Sequence, residues 1–188
     1  NLRAHVAEAQ ANQWSPRPGL ELNSRKLALV GFGRIAKLTA QIAARGLGMR
    51  LVACDLTPRE QHREFLERLA QETGHEPVYT NQLEQALAAG DFVSIHLPLN
   101  PATRGLLDRT KLALLAKGAC LINTARGGIV DEVALYDLLA AGKLAGAALD
   151  VFAQEPYVPA APGKDLRQLT NCLLTPHVAS NTDASVAR

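Results

Sequence analysis

The 188-residue sequence lacks an excess of charge of either sign: 20 Lys and Arg stand against 18 Asp and Glu, a formal net charge of +2. With no Lys/Arg run either, the balance gives no support to a nucleic-acid surface, and no nucleic-acid partner is expected. Long hydrophobic runs are also lacking, so no stretch is long enough to span a bilayer and no membrane partner is expected. No secretory signal opens the chain. Cysteine is scarce: Cys54, Cys120 and Cys172 are odd in number, far apart, and each lies in an apolar run. That pattern suits buried free thiols in a reducing, cytoplasmic compartment and speaks against a disulfide framework or any metal site of the zinc type. Methionine occurs once, at Met49, so the sequence reads as a processed product or a piece of something longer. What remains, 47% hydrophobic and 20% charged, is ordinary for one globular domain with short appendages.

One stretch organises the rest. The apolar run Leu27-Ala28-Leu29-Val30 stops at Gly31-Phe32-Gly33, and a helical pattern starts at once with Arg34-Ile35-Ala36. This is a dinucleotide fingerprint of the form G-x-G-x-x-A. Gly31 allows the tight turn, Gly33 lets a pyrophosphate lie against bare backbone, and Ala36 lets the helix pack close to the strand. The free N–H groups of the helix start, at Arg34 and Ile35, face the anion. Ile35, Leu38, Ile42 and Ala43 fall at helical spacing behind them. A second apolar run, Arg50 to Cys54, then ends in Asp55. An acid roughly 20 residues after the glycines is where a ribose-binding carboxylate sits. It favours NAD over NADP, because it repels a 2′-phosphate.

From Lys26 onward the pattern alternates strand and helix. Strands are predicted over 27–31, 50–55, 77–79, 91–96, 119–123, 145–150 and 172–175, and helices over 34–45, 58–73, 81–89, 108–116 and 131–141. Several strands are almost wholly apolar, which implies a parallel sheet covered on both faces, a doubly wound α/β fold. Residues 56–76 read as a solvated helix with i,i+4 pairs such as Glu60/Glu64 and Glu64/Arg68. Residues 1–14 read as a further helix, broken by Ser15-Pro16-Arg17-Pro18-Gly19, that must pack on the domain or on a partner subunit.

In a doubly wound sheet, ligands gather at the carboxyl ends of the strands. There the sequence places His96-Leu97-Pro98 and Thr103, then Thr124-Ala125-Arg126-Gly127-Gly128, then Asp150 and Glu155, then His177. Together Arg126, Glu155 and His177 suit hydride transfer at a secondary alcohol. A histidine takes the hydroxyl proton as hydride leaves and returns it in reduction. A carboxylate holds the imidazolium, and an arginine grips a carboxylate substrate in two-pronged fashion.

On these residues the sequence resembles the nucleotide-binding domain of the D-isomer-specific 2-hydroxyacid dehydrogenases. The likeness runs through Val30-Gly31-Phe32-Gly33-Arg34-Ile35, His96-Leu97-Pro98-Leu99, Ile122 to Glu132, Ala148 to Phe152 with Glu155-Pro156, and Thr175-Pro176-His177. It implies Arg126 as the substrate-binding arginine, Glu155 as the acid paired with the histidine, and His177 as the proton donor and acceptor. It implies NAD contacts from Gly31, Gly33, Arg34, Ile35, Asp55, His96, Pro98, Thr103, Thr124, Ala125 and Asp150, the last holding the nicotinamide carboxamide. It further implies a 2-hydroxy or 2-oxo acid substrate, a homodimer formed through this domain, and a second, substrate-binding domain outside these residues. On that reading, 1–19 is a linking helix and connector, 20–179 the dinucleotide-binding domain, and 180–188 the start of a returning helix. The chain alone then turns over poorly. Corepressors resembling this family use the same domain as an NAD-dependent scaffold, which is the competing expectation. A short-chain dehydrogenase is excluded, since none of Tyr79, Tyr136 or Tyr157 opens a Tyr-x-x-x-Lys.

Overall fold

The computed structural model describes residues 2–14 and 18–181. The seven predicted strands all form: β1 Lys26–Val30, β2 Arg50–Cys54, β3 Val78–Thr80, β4 Phe92–Ile95, β5 Cys120–Asn123, β6 Gly146–Leu149 and β7 Cys172–Leu174. They make one sheet in the order β3-β2-β1-β4-β5-β6-β7, with every pairing parallel. The chain runs outward from β1 to β3, then returns to the other side of β1 for β4. The topological switch, and with it the ligand crevice of such a sheet, therefore lies between the carboxyl ends of β1 and β4.

Alternation along β1 shows why it is apolar throughout. Ala28 and Val30 join one core cluster and Leu27 and Leu29 the other, so both faces of the strand are buried. On β5 and β6 the expectation of two covered faces is only half met. Leu121 and Asn123, like Ala147 and Leu149, are buried, while Cys120, Ile122, Gly146 and Ala148 are half-buried. The N-terminal helix α1, Leu2–Gln10, reaches that second face at Val6, Ala7 and Gln10, and a cavity of about 770 Å³ separates them. Helix α1 stops short of the predicted residue 14, and Trp14 is exposed.

Helix α2, Arg34–Gln41, follows the fingerprint and widens into a π turn over Ile42–Gly46. Its helical spacing is as predicted, but the large apolar residues of the set face outward. Ile35, Leu38 and Ile42 are more than half exposed, and the buried face consists of Ala36, Ala40, Ala43 and Ala44.

The predicted helix over 58–73 is divided into a 3-10 turn at Arg59–His62 and helix α3, Arg63–Thr73, closed by Gly74 in the left-handed region. The division turns His62 inward. The ion pairs of this segment also differ from the expected i,i+4 pairs. Among the described residues they are Glu72 to Arg45 of the π turn, and Arg59 to Glu76 at the far end of the same segment.

Helix α4 is Leu83–Ala89. The predicted helix over 108–116 shrinks to a single turn, α5 Arg109–Leu112, capped by Asp108. Beyond it the chain tightens into i,i+3 bonds toward Gly118, whose φ is +82°. Helix α6 is Glu132–Ala140, with Asp131 as its N-cap. The returning helix expected from 180 falls, from 182 onward, outside the described residues, as does the predicted break at 15–17.

Candidate active site

The fingerprint turn is built around two differently placed glycines. Gly31 has φ +88°, and a Cβ there would lie 2.9 Å from both the carbonyl oxygen of His96 and Cδ2 of Leu97. The turn is thus pressed against the end of β4, at the switch point. Its N–H donates to the carbonyl of Cys54 at 2.8 Å. Gly33 is the N-cap of α2, with no side-chain cap on the helix start, and a Cβ there would meet open space. The first amides of α2, at exposed Arg34 and Ile35, thus remain available to an anion at the surface. That is the bare cradle a pyrophosphate fits. Between the glycines, Phe32 is fully buried and meets the rings of His62, Phe65 and Tyr79 edge-on, at centroid distances of 5.4, 5.7 and 6.4 Å.

Asp55 ends β2 beside this turn. Its Oδ2 accepts from Phe32 N at 2.6 Å and its Oδ1 from Thr57 N at 2.8 Å. A carboxylate has about four acceptor sites, so each oxygen keeps one for a ribose hydroxyl. Burial pushes its pKa up, but the N–H groups of Thr57 and Phe32 outweigh this and hold it below the usual value. His62 was hidden from sequence reasoning by the charged residues around it. It is 9% exposed, and among the described residues neither ring nitrogen has a hydrogen-bond partner.

After β4, the backbone N–H of His96 donates to Val30 at 2.7 Å, and its ring Nε2 lies 3.0 Å from Ser94 Oγ. Burial lowers the pKa of this imidazole. The following loop holds itself. Thr103 Oγ1 donates to the exposed Pro98 carbonyl at 2.6 Å and accepts from Asn100 N at 2.9 Å.

After β5, the buried amide of Asn123 shapes the Thr124–Arg126 turn. Its Oδ1 accepts from Ala125 N, and its Nδ2 donates to the Arg126 carbonyl, both at 3.0 Å. Thr124 is exposed and Ala125 half-buried. The exposed Arg126 donates from Nη1 to the Ala125 carbonyl at 2.6 Å, and among the described residues it forms no ion pair. Gly127 fixes this turn against the next one, since a Cβ there would fall 1.9 Å from the carbonyl carbon of Phe152.

After β6 and β7, two carboxylates organise the histidine. Asp150 is 4% exposed; its Oδ1 accepts from Thr175 Oγ1 and from Val178 N at 3.0 Å, and its Oδ2 from Ala179 N at 2.9 Å. It therefore clasps the segment on both sides of His177, and one acceptor site, on Oδ2, is left over. Burial raises its pKa, but these bonds and nearby His177 overcome it and lower the value. His177 has φ +53°. This left-handed backbone is tolerated by histidine better than by most residues. Its Nδ1 lies 2.8 Å from Glu155 Oε2. The bond from His177, with Phe152 N on the other oxygen, holds the Glu155 carboxyl below its usual pKa. An ionised carboxylate only accepts, so Nδ1 carries the hydrogen and Nε2 is left as the working atom. The pair lines a cavity of about 820 Å³ with Phe152, Pro156, Tyr157, Leu173 and Leu174 among its walls.

The structure thus joins His177 to Glu155 by a direct bond, and Asp150 holds the residues on either side of His177. It brings the Arg126 turn against the Phe152 turn through backbone, and it gathers Gly31, Phe32 and Asp55 into a second unit that meets His96. The side chain of Arg126 is not bonded to the histidine pair. Asn123 stood in the strand-end run of the sequence without a role of its own, and His62 was not singled out. A buried Asn at a strand end carried a readable turn signal; His62 carried none.

Comparison with known proteins accords with this layout. The family model for the D-isomer specific 2-hydroxyacid dehydrogenase, NAD binding domain, matches residues 1–179. A D-3-phosphoglycerate dehydrogenase of Methanocaldococcus jannaschii is 33% identical over 186 residues, 97% of this chain and 33% of that protein. A glyoxylate reductase of Korarchaeum cryptofilum is 39% identical over 177 residues, 93% of this chain and 49% of that protein. The apo form of Rhodotorula graminis D-mandelate dehydrogenase aligns with a TM-score of 0.78 at 29% identity, over 99% of this chain and 48% of its own. The chain spans half or less of the length of these relatives. It belongs to the D-isomer specific 2-hydroxyacid dehydrogenase family, and what it holds of that family is the NAD-binding domain.

Proposed function

We propose that this chain carries the cofactor-binding and proton-transfer half of an oxidoreductase that moves a hydride between NAD(H) and a small D-2-hydroxy acid or its 2-oxo acid. The observation that carries the reading is the 2.8 Å bond from His177 Nδ1 to Glu155, which leaves Nε2 free. In oxidation His177 Nε2 takes the proton of the substrate hydroxyl; in reduction it returns it. Glu155 orients the ring and stabilises its charged form. Arg126, exposed and without an ion pair among the described residues, grips the substrate carboxylate through its planar fork.

Bound NAD supplies the hydride acceptor. Gly31 and Gly33 with the amides of Arg34 and Ile35 would cradle its pyrophosphate, Asp55 would take the ribose, His96, Pro98, Thr103, Thr124 and Ala125 would touch the dinucleotide, and Asp150 would hold the nicotinamide carboxamide. Residues 20–179 form the dinucleotide-binding domain and 1–19 its connector to a substrate domain that lies elsewhere in a longer protein. The functional unit is a homodimer formed through this domain.

Calorimetric titration with NAD and then NADP tests the cofactor half. Tight NAD binding, weak NADP binding and loss of affinity in Asp55→Ala are expected; equal affinity for both cofactors sinks the reading of Asp55. A panel of glyoxylate, hydroxypyruvate and pyruvate with NADH and the longer protein tests the chemistry. His177→Gln should cost about 100-fold or more in turnover. NAD-linked assembly with no turnover on any 2-oxo acid would instead favour a scaffold.

A further inference from the structure

Glu132 stands in the first turn of α6, a few residues beyond Arg126, and is 7% exposed. A carboxylate so deeply buried is costly unless hydrogen bonds hold it. Its Oε1 accepts from Ala153 N at 2.7 Å. The preceding amide, Phe152 N, donates to Oε1 of Glu155 at 3.0 Å, and the other oxygen of Glu155 meets Nδ1 of His177 at 2.8 Å. Two successive peptide N–H groups of one turn are therefore held by two carboxylates. One is buried and belongs to another element; the other is the partner of the histidine. The contacts form a single line, from Glu132 through the Phe152–Ala153 amides and Glu155 to His177.

We propose that Glu132 is a positioning residue for His177. By anchoring Ala153 N it fixes the turn that aims Glu155, and so holds the imidazole as the Nδ1–H tautomer with Nε2 bare. Gly127 stiffens the same turn from the other side, with its backbone packed on Phe152. The inference rests on the reading of His177 as the proton carrier, but its test reads the ring itself and needs no turnover.

The test is the ¹⁵N shifts of the His177 ring, observed through its carbon-bound protons at about pH 9, where an ordinary imidazole is neutral. This chain is compared with Glu132→Gln and Glu132→Met. Gln keeps an acceptor at Oε1 and should keep the Nδ1–H tautomer. Met fills the space without an acceptor, and the ratio of Nδ1–H to Nε2–H should fall about three-fold or more, the part of the lost bond that is coupled to the ring through Glu155. A Met variant that melts cooperatively with an unchanged ratio overturns the proposal, since a merely structural role would lower the melting temperature alone. If Met does not fold, Glu132→Asp draws the acceptor back by one methylene, and an unchanged ratio there overturns it equally. Failure of the longer protein to reduce any 2-oxo acid would sink the proposed function and leave these ratios as they are.

Discussion

Gly31 and Gly33 sit two residues apart in one turn, and the room around each is different. At Gly31 a methyl group would strike the backbone of His96, and φ is positive. Gly31→Ala should therefore cost about 1–3 kcal/mol in stability, read from denaturant unfolding. At Gly33 a methyl group meets open space at φ −79°. Gly33→Ala should leave stability within about 0.5 kcal/mol while NAD affinity in calorimetry falls at least about ten-fold, because the methyl occupies the pyrophosphate cradle. Equal stability losses at both positions would refute the distinction. His62 makes a pH prediction. Burial, and Lys37 nearby, lower its pKa, with Asp55 opposing; burial likewise lowers that of His96. A histidine whose folded pKa lies below its unfolded value takes up protons preferentially when unfolded. Stability is therefore present above the unfolded value, about 6.5, and is lost as pH falls below it. His62→Phe should flatten the fall in denaturation midpoint between about pH 7 and 5; an unchanged slope would remove His62 from the account. The separate roles of the two glycines were legible in the sequence; the place of His62 was not. Phe32 looked like the spacer of a fingerprint and His62 like one more polar residue of a charged helix. Only the 3-10 turn at Arg59–His62 rotates that ring onto Phe32 and Tyr79.

At the scale of elements, α2 shows what periodicity can and cannot report. The spacing of Ile35, Leu38 and Ile42 identified a helix, yet the helix rests on the sheet through Ala36, Ala40, Ala43 and Ala44. The tight turn brings α2 so near β1 that only small side chains fit between them, the reason already attached to Ala36. Ala40→Leu should accordingly destabilise the chain by about 1–3 kcal/mol through overpacking. Leu38→Ala, on the exposed face, should change stability by less than about 0.5 kcal/mol when unfolding is followed at concentrations where the chain is monomeric. Thermal and denaturant unfolding of the two variants decide the matter, and the reverse ranking would contradict the structure. The short α5 has a related cause. A helix was predicted over 108–116, but the chain makes only one turn before Gly118 swings it into β5.

The chain is a switch-point sheet with the proposed site along one edge. The outward stripe of Ile35, Leu38 and Ile42 gives the proposed homodimer an apolar surface, which a two-fold contact would present to itself. Sedimentation velocity should find a dimer in this chain or in the longer protein, and Ile42→Lys should shift it toward monomer; a monomer with Ile42 intact would discard the dimer. The sequence by itself determined seven strands within one or two residues, their parallel character, the two-glycine turn, and the segments that bring Arg126, Asp150, Glu155 and His177 to the strand ends. Those features are local: apolar runs bounded by turn residues, and backbone conformations only glycine adopts freely. The tertiary structure alone decided which oxygen meets which donor. Asp150 clasps both sides of His177, Glu132 reaches Ala153, and the ring of His62 closes on Phe32. Each of these joins residues that separate elements carry, and sequence spacing holds no record of distance across a fold.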